Sequence, residues 1–167
     1  MHPEPPPILV LGVGNVLLED DGVGPALLGL LSSLHGADER VEFVDGGTQG
    51  LALLGYLSGR QAVLILDAVA LGAEPGSVHV RHDLEVLNLK SRHATTAHEG
   101  NAGELLRVAT LLGDLPDRMI LVGVEPKTIR TGLGLSQDVQ ASLPVALQEA
   151  QSRLEQIVGS LTVAQAS

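Results

Sequence analysis

The sequence predicts an α/β fold in which a mainly parallel sheet lies between layers of helices. Short apolar runs rich in β-branched residues alternate with segments of helical spacing, which is typical of strands joined by crossover helices. The run 62–66 is apolar at every position, so we expect helices to cover both of its faces. The five apolar runs lie at 8–12, 41–45, 62–69, 77–81 and 119–124.

The clearest helix is predicted over 22–34, where apolar residues follow the i, i+3, i+4, i+7 spacing of one buried face. Pro25 falls in its first turn, where proline is tolerated because that N–H has no partner within the helix. Three more helices are expected at 50–58, 97–112 and 137–158. The last of these should break or kink at Pro144.

The order of the elements indicates one domain over residues 1–167. The strand at 77–82 follows the third strand after a gap too short for a crossover helix, so it should be antiparallel or lie at an edge. The proline-rich residues 1–7 and the segment 160–167 are expected to be loose ends.

Composition excludes several classes of partner. The chain carries 20 acidic against 10 basic residues, a formal net charge of -10, which disfavours nucleic acids and anionic membranes. Phe43 and Tyr56 are the only aromatic residues, too few for a base-stacking platform. The chain has no cysteine, no signal-peptide pattern and no apolar run near the roughly 20 residues of a membrane span. We therefore expect a cytoplasmic protein.

Acidic residues follow three of the predicted strands. Glu19, Asp20 and Asp21 lie between a glycine turn and a helix, where they would repel a pyrophosphate and attract a cation. Asp45 and Asp67 end the second and third strands, so all three sites should share one rim of the sheet. Asp21 and Asp45 also have simpler interpretations, Asp21 as a helix N-cap and Asp45 as a turn residue. Asp67 follows pure hydrocarbon and therefore needs a partner.

His98 is the candidate nitrogen ligand. Thr96 and Glu99 fit a capping box, which places His98 in the first turn of a helix. The positive end of the helix disfavours the imidazolium form there and keeps the ring a neutral ligand. A surface histidine beside an ordinary cap fits the same spacing.

A dinucleotide-binding enzyme is the competing hypothesis. Gly12 and Gly14 begin like the glycine fingerprint of such enzymes, and Asp45 ends the second strand where a ribose-binding acid would lie. The third glycine of the fingerprint would fall at Leu17, however, and the acidic triplet occupies the approach of the pyrophosphate. A metal-binding chaperone or inactive scaffold is the third possibility.

Several sequence blocks follow one another along the chain: GVGN at 12–15, DDGVG at 20–24, DGGTQG at 45–50, LDAV at 66–69, TAHE at 96–99, VGVEP at 122–126 and GLGLS at 132–136. Together they resemble the hydrogenase maturation proteases, which trim the large subunit of nickel-iron hydrogenases. The resemblance runs from about Ile8 to about Ile157. It implies a three-layer α/β/α sandwich around a five-stranded twisted sheet.

The resemblance also implies the site and its chemistry. Asp21, Asp67 and His98 correspond to the metal-contacting trio of the family, and Asp45 is associated with activity. Two carboxylates and an imidazole suit nickel and leave coordination positions open. The nickel is expected to arrive bound to the hydrogenase precursor, although other divalent ions could occupy the site in vitro. We expect a monomeric endopeptidase that tests for nickel before it removes the C-terminal extension of that precursor.

Overall fold

Five strands form one sheet in the computed structural model, which describes residues 3–89 and 102–166. The strands are β1 Ile8–Val13, β2 Val41–Gly47, β3 Ala62–Ala68, β4 Val78–His82 and β5 Arg118–Val124. Their order across the sheet is β2-β1-β3-β5-β4. All neighbours are parallel except β4, which is antiparallel to β5 and lies at the edge. The predicted mostly parallel sheet and its antiparallel edge strand are confirmed.

Helices cover both faces of this sheet and complete the three layers. They are α1 Val23–His35, α2 Leu54–Leu57, α3 Leu84–Leu87, α4 Ala102–Leu112 and α5 Gln137–Gln165, with 3-10 turns at Glu19–Gly22 and Gly50–Leu53. One core lies between the sheet and α1 with α5, and the other between the sheet and α2, α3 and α4. Alternate residues of β3 supply both cores, since Leu64 and Leu66 face the first and Val63 and Ile65 the second.

The helix predicted over 22–34 is α1, and the segment 50–58 contains a 3-10 turn followed by α2. The helix predicted over 97–112 is described from Ala102 onwards as α4. Its proposed start at Thr96 lies outside the described residues. None of the helices in the described ranges is long and apolar enough to cross a membrane.

Of the break or kink predicted at Pro144, the break is wrong, because α5 is one continuous helix of 29 residues. Pro144 removes one backbone hydrogen bond at a solvent-exposed position. The opposite stripe of the helix buries Val139, Ala146, Ala150, Leu154 and Ile157 on both sides of the proline, and this burial outweighs the local loss.

The chain ends are also more ordered than the sequence indicates. The segment 160–165 continues α5 instead of forming a loose end. Near the start, the carbonyl of Pro7 accepts hydrogen bonds from the N–H groups of Gln61 and Ala62, at 2.8 and 3.2 Å. The Arg60 guanidinium donates to the carbonyl of Pro6 at 2.8 Å. These bonds attach residues 6 and 7 to the start of β3.

The strand order creates a crevice at the carboxyl ends of the central strands. After β1 the chain crosses to β2 on one side, and it then returns to β3 on the other side of β1. The connections leaving β1 and β3 therefore diverge at the carboxyl ends of these two strands. Such a topological switch point is where open α/β sheets bind their ligands.

Candidate active site

Asp67 occupies the floor of this crevice. It is the penultimate residue of β3, pairs in register with Gly123 of β5, and is only 9% exposed. By strand alternation it follows Val63 and Ile65 on the α4 side of the sheet. The strand thus carries a carboxyl group to the edge of an aliphatic core.

The electrostatic environment of Asp67 includes the charge of Asp21. Burial raises the pKa of Asp67 well above its usual value, and the negative charge of Asp21 raises it further. The N–H of Ala68 donates to Oδ1 of Asp67 at 2.8 Å and opposes the rise only in part. Two neighbouring carboxylates in a partly buried site favour the uptake of a proton or a cation. The convergence of these two side chains on one metal ion stays a prediction.

Asp21 is held at the crevice by the turn after β1. It belongs to the 3-10 turn Glu19–Gly22, and its Oδ2 accepts a hydrogen bond of 2.7 Å from the N–H of Asn15. A Cβ atom added to Gly14 would lie 1.9 Å from the carbonyl oxygen of Asp21. One added to Gly24 would lie 2.5 Å from the carbonyl oxygen of Leu66. These glycines allow the turn, α1 and β3 to approach one another closely, which explains them without a phosphate ligand.

Asp20 has a structural function, so the acidic triplet does not act as one cation-binding cluster as the sequence suggested. Its carboxylate is fully buried and accepts hydrogen bonds from the N–H groups of Ser136, Lys127 and Thr128, at 2.7, 2.9 and 3.2 Å. The Ser136 hydroxyl donates a fourth at 2.8 Å. Burial alone would raise the pKa of Asp20, but these hydrogen bonds outweigh it and lower the pKa.

Glu19 extends the same attachment. Its Oε2 accepts a hydrogen bond of 2.7 Å from the Thr128 hydroxyl, and its N–H donates to the carbonyl of Gly132 at 3.1 Å. Glu19 and Asp20 therefore fasten the segment 127–136 onto the turn that carries Asp21. The partners lie more than 100 residues away in the chain, and no local spacing in the sequence could have revealed them.

Asp45 lies at the same rim in a different environment. It is exposed, and its Oδ1 accepts a hydrogen bond of 3.0 Å from the N–H of Gly47. This is the turn contact that the simpler interpretation of the sequence predicts. Asp45 pairs in register with Gly12, and by alternation it follows Phe43 on the α1 side of the sheet, whereas Asp67 follows the α4 side. Its catalytic role stays a prediction.

His98 lies outside the described residues, so its position as a metal ligand stays a prediction. Within 3–89 and 102–166, no group of three His, Cys, Asp or Glu side chains is arranged to hold a metal ion. The described part of the site therefore consists of the carboxylate pair Asp21 and Asp67.

A third buried carboxylate, that of Glu125, holds the loop that follows Asp67. Glu125 accepts hydrogen bonds from the N–H groups of Leu71 and Gly72, both at 3.0 Å, and contacts Nε2 of His79 at 2.9 Å. Burial alone would raise its pKa, but these hydrogen bonds lower it. The sequence block VGVEP contained Glu125, yet nothing in its spacing indicated these partners. The loop is thereby fixed against β4 and β5 beside the crevice.

The fold and the carboxylates of Asp21 and Asp67 define an α/β protein with an acidic crevice at the switch point of its sheet. The family model of hydrogenase maturation proteases, HycI, matches residues 26–153. The chain belongs to the hydrogenase maturation protease family.

Relatives and solved structures agree with this assignment. The hydrogenase 2 maturation protease of Escherichia coli K12 is 33% identical over 150 residues, which cover 89% of this chain and 91% of that protein. The hydrogenase expression/formation protein HupD of Rhizobium leguminosarum is 32% identical over 149 residues, covering 89% of this chain and 74% of HupD. The solved structure of the maturating endopeptidase HybD from E. coli superimposes with a TM-score of 0.79 at 31% identity, covering 89% of this chain and 92% of HybD.

The family establishes the class of activity. The protein is an endopeptidase of hydrogenase maturation that processes the C-terminus of a hydrogenase large subunit. The alternative of a nucleotide-binding enzyme is not favoured, in agreement with the structural roles of Gly14 and Gly24.

Proposed function

We propose that this endopeptidase cleaves its precursor only after nickel has been inserted, and that Asp21, Asp67 and His98 contact the nickel carried by the precursor. The observation that supports this most directly is the buried carboxyl group of Asp67 beside the charge of Asp21. A cation that arrives with the substrate would relieve the repulsion between the two carboxylates. Binding of the correctly loaded precursor would therefore be favoured over binding of the nickel-free form.

The donor set supports a transient metal contact in preference to a resident metal. The chain has no cysteine, so the site can offer only oxygen and imidazole nitrogen ligands. Two carboxylates and one imidazole bind a divalent ion weakly and leave coordination positions open, whereas a resident catalytic zinc normally has three firm ligands oriented by further hydrogen bonds. In this proposal the nickel belongs to the substrate.

Peptide hydrolysis at this site requires a water molecule to attack the carbonyl carbon of the scissile bond. A carboxylate accepts one proton from that water, and the nitrogen of the leaving peptide must receive a proton before the C–N bond breaks. Asp67 suits this proton transfer because burial and the charge of Asp21 raise its pKa, which makes the carboxylate a stronger base. Polarisation of the carbonyl by the substrate's nickel is the alternative source of activation. Asp45 would position the substrate or relay a proton.

Mass spectrometry of the precursor tests the proposal. Purified enzyme should carry little metal, cut the nickel-loaded precursor, and leave the nickel-free precursor intact even when zinc is added to the enzyme alone. Asp21→Asn and Asp67→Asn should each abolish cleavage while the protein remains folded. Efficient cleavage of the nickel-free precursor would contradict nickel dependence. We also propose that the protein is a cytoplasmic monomer. Light scattering of the enzyme used in this assay measures its oligomeric state.

A further inference from the structure

An exposed apolar surface lies on the turn that carries Asp21 and on the segment bonded to that turn. It consists of Val16, Leu17 and Leu133, which we call the apolar lip, and their side chains are 53%, 58% and 81% exposed. We propose that the apolar lip binds an apolar segment of the hydrogenase precursor next to the bond that is cleaved. This inference rests on the proposed function, since it assigns a binding surface to the same substrate.

The two parts of the lip form one surface because their backbones are joined. Leu18 and Gly132 form an isolated parallel bridge, and the N–H of Gly132 donates to the carbonyl of Leu17 at 2.9 Å. The N–H of Glu19 returns a hydrogen bond of 3.1 Å to the carbonyl of Gly132. Leu17 and Leu133, which adjoin this bridge, are therefore neighbours despite a separation of more than 100 residues in the chain.

The lip also adjoins the site. A Cβ atom added to Gly22 would lie 3.1 Å from Cα of Val16, so Val16 crosses the turn immediately after Asp21. Leu17 lies four residues before Asp21 in that turn. A polypeptide whose scissile bond reaches Asp21 passes within reach of these side chains.

Hydrogen bonds anchor the backbone on both sides of the lip. The N–H of Leu17 donates to Oδ1 of Asn15 at 2.9 Å, and the Asp20 carboxylate fastens the segment that carries Leu133. A rigid surface loses little conformational entropy when a partner covers it. A contiguous exposed apolar patch with a polar rim is typical of a binding surface.

The charge distribution specifies the chemistry of the occupant. The whole chain has a net charge of -10, and Asp21 and Asp45 lie nearby at the rim. The segments 15–18 and 131–136 nevertheless contain no charged residue, and the Glu19 carboxylate, which lies against Gly132, accepts the Thr128 hydroxyl. The part of the precursor that covers the lip should therefore be uncharged and apolar, and any basic group of the precursor should lie towards the acidic rim.

The experiment compares Leu17→Ser and Leu133→Ser with the wild-type chain on nickel-loaded precursor. Each variant should raise KM about tenfold, the effect of losing part of the burial of one leucine, and leave kcat within about twofold. Leu17→Met and Leu133→Met, which keep an apolar side chain of similar size, should have the KM of the wild-type chain. Leu111→Ser is the matched control, because Leu111 is 86% exposed near the end of α4. This helix leads into the start of β5, whereas the site lies where the parallel strands end.

The outcomes separate this inference from the proposed function. Unchanged KM in both serine variants, with normal cleavage by the wild-type chain, would overturn the apolar lip alone. Failure of the wild-type chain to cut any precursor would instead overturn the proposed function. If light scattering shows a wild-type dimer that both serine variants convert to a monomer with unchanged KM, the lip binds a second copy of the chain and the inference is wrong.

Discussion

Asp20 and Asp21 are consecutive residues with opposite environments. Asp20 is fully buried and saturated with four hydrogen-bond donors from the segment 127–136. Asp21 is half-buried, and its negative charge raises the pKa of Asp67. The first residue therefore stabilises the loop that shapes the site, and the second takes part in the site itself.

The substitution Asp20→Asn should lower the free energy of unfolding by about 3 kcal/mol. The amide replaces one acceptor oxygen with an N–H₂ group, so at least one buried backbone N–H loses its acceptor and faces another donor. Denaturant unfolding followed by circular dichroism measures the change.

Asp21→Asn is the matched control for this substitution. The asparagine oxygen can still accept the N–H of Asn15, and removal of the charge relieves the repulsion with Asp67. We expect stability close to that of the wild-type chain and no cleavage. If Asp20→Asn is as stable as Asp21→Asn, the hydrogen bonds of Asp20 contribute little.

Asp45→Asn should preserve folding and reduce cleavage by about 100-fold or more. The asparagine oxygen can keep the hydrogen bond to Gly47, so the turn survives, whereas proton transfer by the carboxylate is lost. Single-turnover cleavage of the nickel-loaded precursor is the measurement, with the melting temperature as its control. Cleavage at the normal rate would show that Asp45 is only a turn residue.

The role of a residue was predictable from the sequence where the cause of that role lies in its neighbours along the chain. An aspartate after a pure hydrocarbon strand needs a partner, and Asp67 accepts a hydrogen bond from the N–H of Ala68, whereas the charge of Asp21 disfavours its ionised form. The function of Asp20 depends on Ser136 and Lys127, which only the folded chain brings near. The spacing of an acidic triplet could not distinguish its structural member from the one in the site.

At the scale of elements, α5 shows the same division between local and distant causes. The penalty for Pro144 is local and was therefore predicted, whereas the burial that overcomes it comes from contacts with the sheet and α1. The strands and α1 were predictable because a single periodicity describes each of them. The full length of α5 was not, because its continuity depends on tertiary packing.

Pro144→Ala should raise the free energy of unfolding by about 1–3 kcal/mol. The alanine N–H can donate to the carbonyl of Gln140 one turn earlier, and alanine has the higher helix propensity. The loss of proline's restriction on the unfolded chain offsets about 0.4–1 kcal/mol of this gain. Thermal and denaturant unfolding measure the result, and cleavage should be unaffected. A variant no more stable than the wild-type chain would show that the helix accommodates the proline without cost.

At the scale of the whole molecule, the sheet topology brings distant acids to one crevice. Parallel strands and the switch point between β1 and β3 were sufficient to predict that Asp21 and Asp67 share a rim. The orientation of Asp45 towards the other face depends on the register of β2 with β1, which the sequence does not contain. The crevice thus concentrates charge that the fold must tolerate, so the site should reduce the stability of the protein.

Asp67→Asn should therefore stabilise the fold at neutral pH while it abolishes cleavage. Burial and Asp21 raise the pKa of Asp67 in the folded protein above the ordinary value of 3.8, so the folded state holds this proton more tightly than the unfolded state. The stability that the proton provides is complete below pH 3.8 and is lost as the pH rises through the raised pKa.

Asparagine does not titrate, and its oxygen can still accept the N–H of Ala68. The gain of Asp67→Asn over the wild-type chain should therefore appear as the pH rises above 3.8 and become constant above the raised pKa. Melting temperatures between pH 4 and 8 in the presence of a chelator measure it, at about 2–4 °C for each kcal/mol in a chain of this size. Asp45→Asn controls for the change in net charge. An Asp67→Asn protein that melts below the wild-type chain at pH 8 would show that the ionised carboxylate is stabilised in the fold, contrary to the environment described for it.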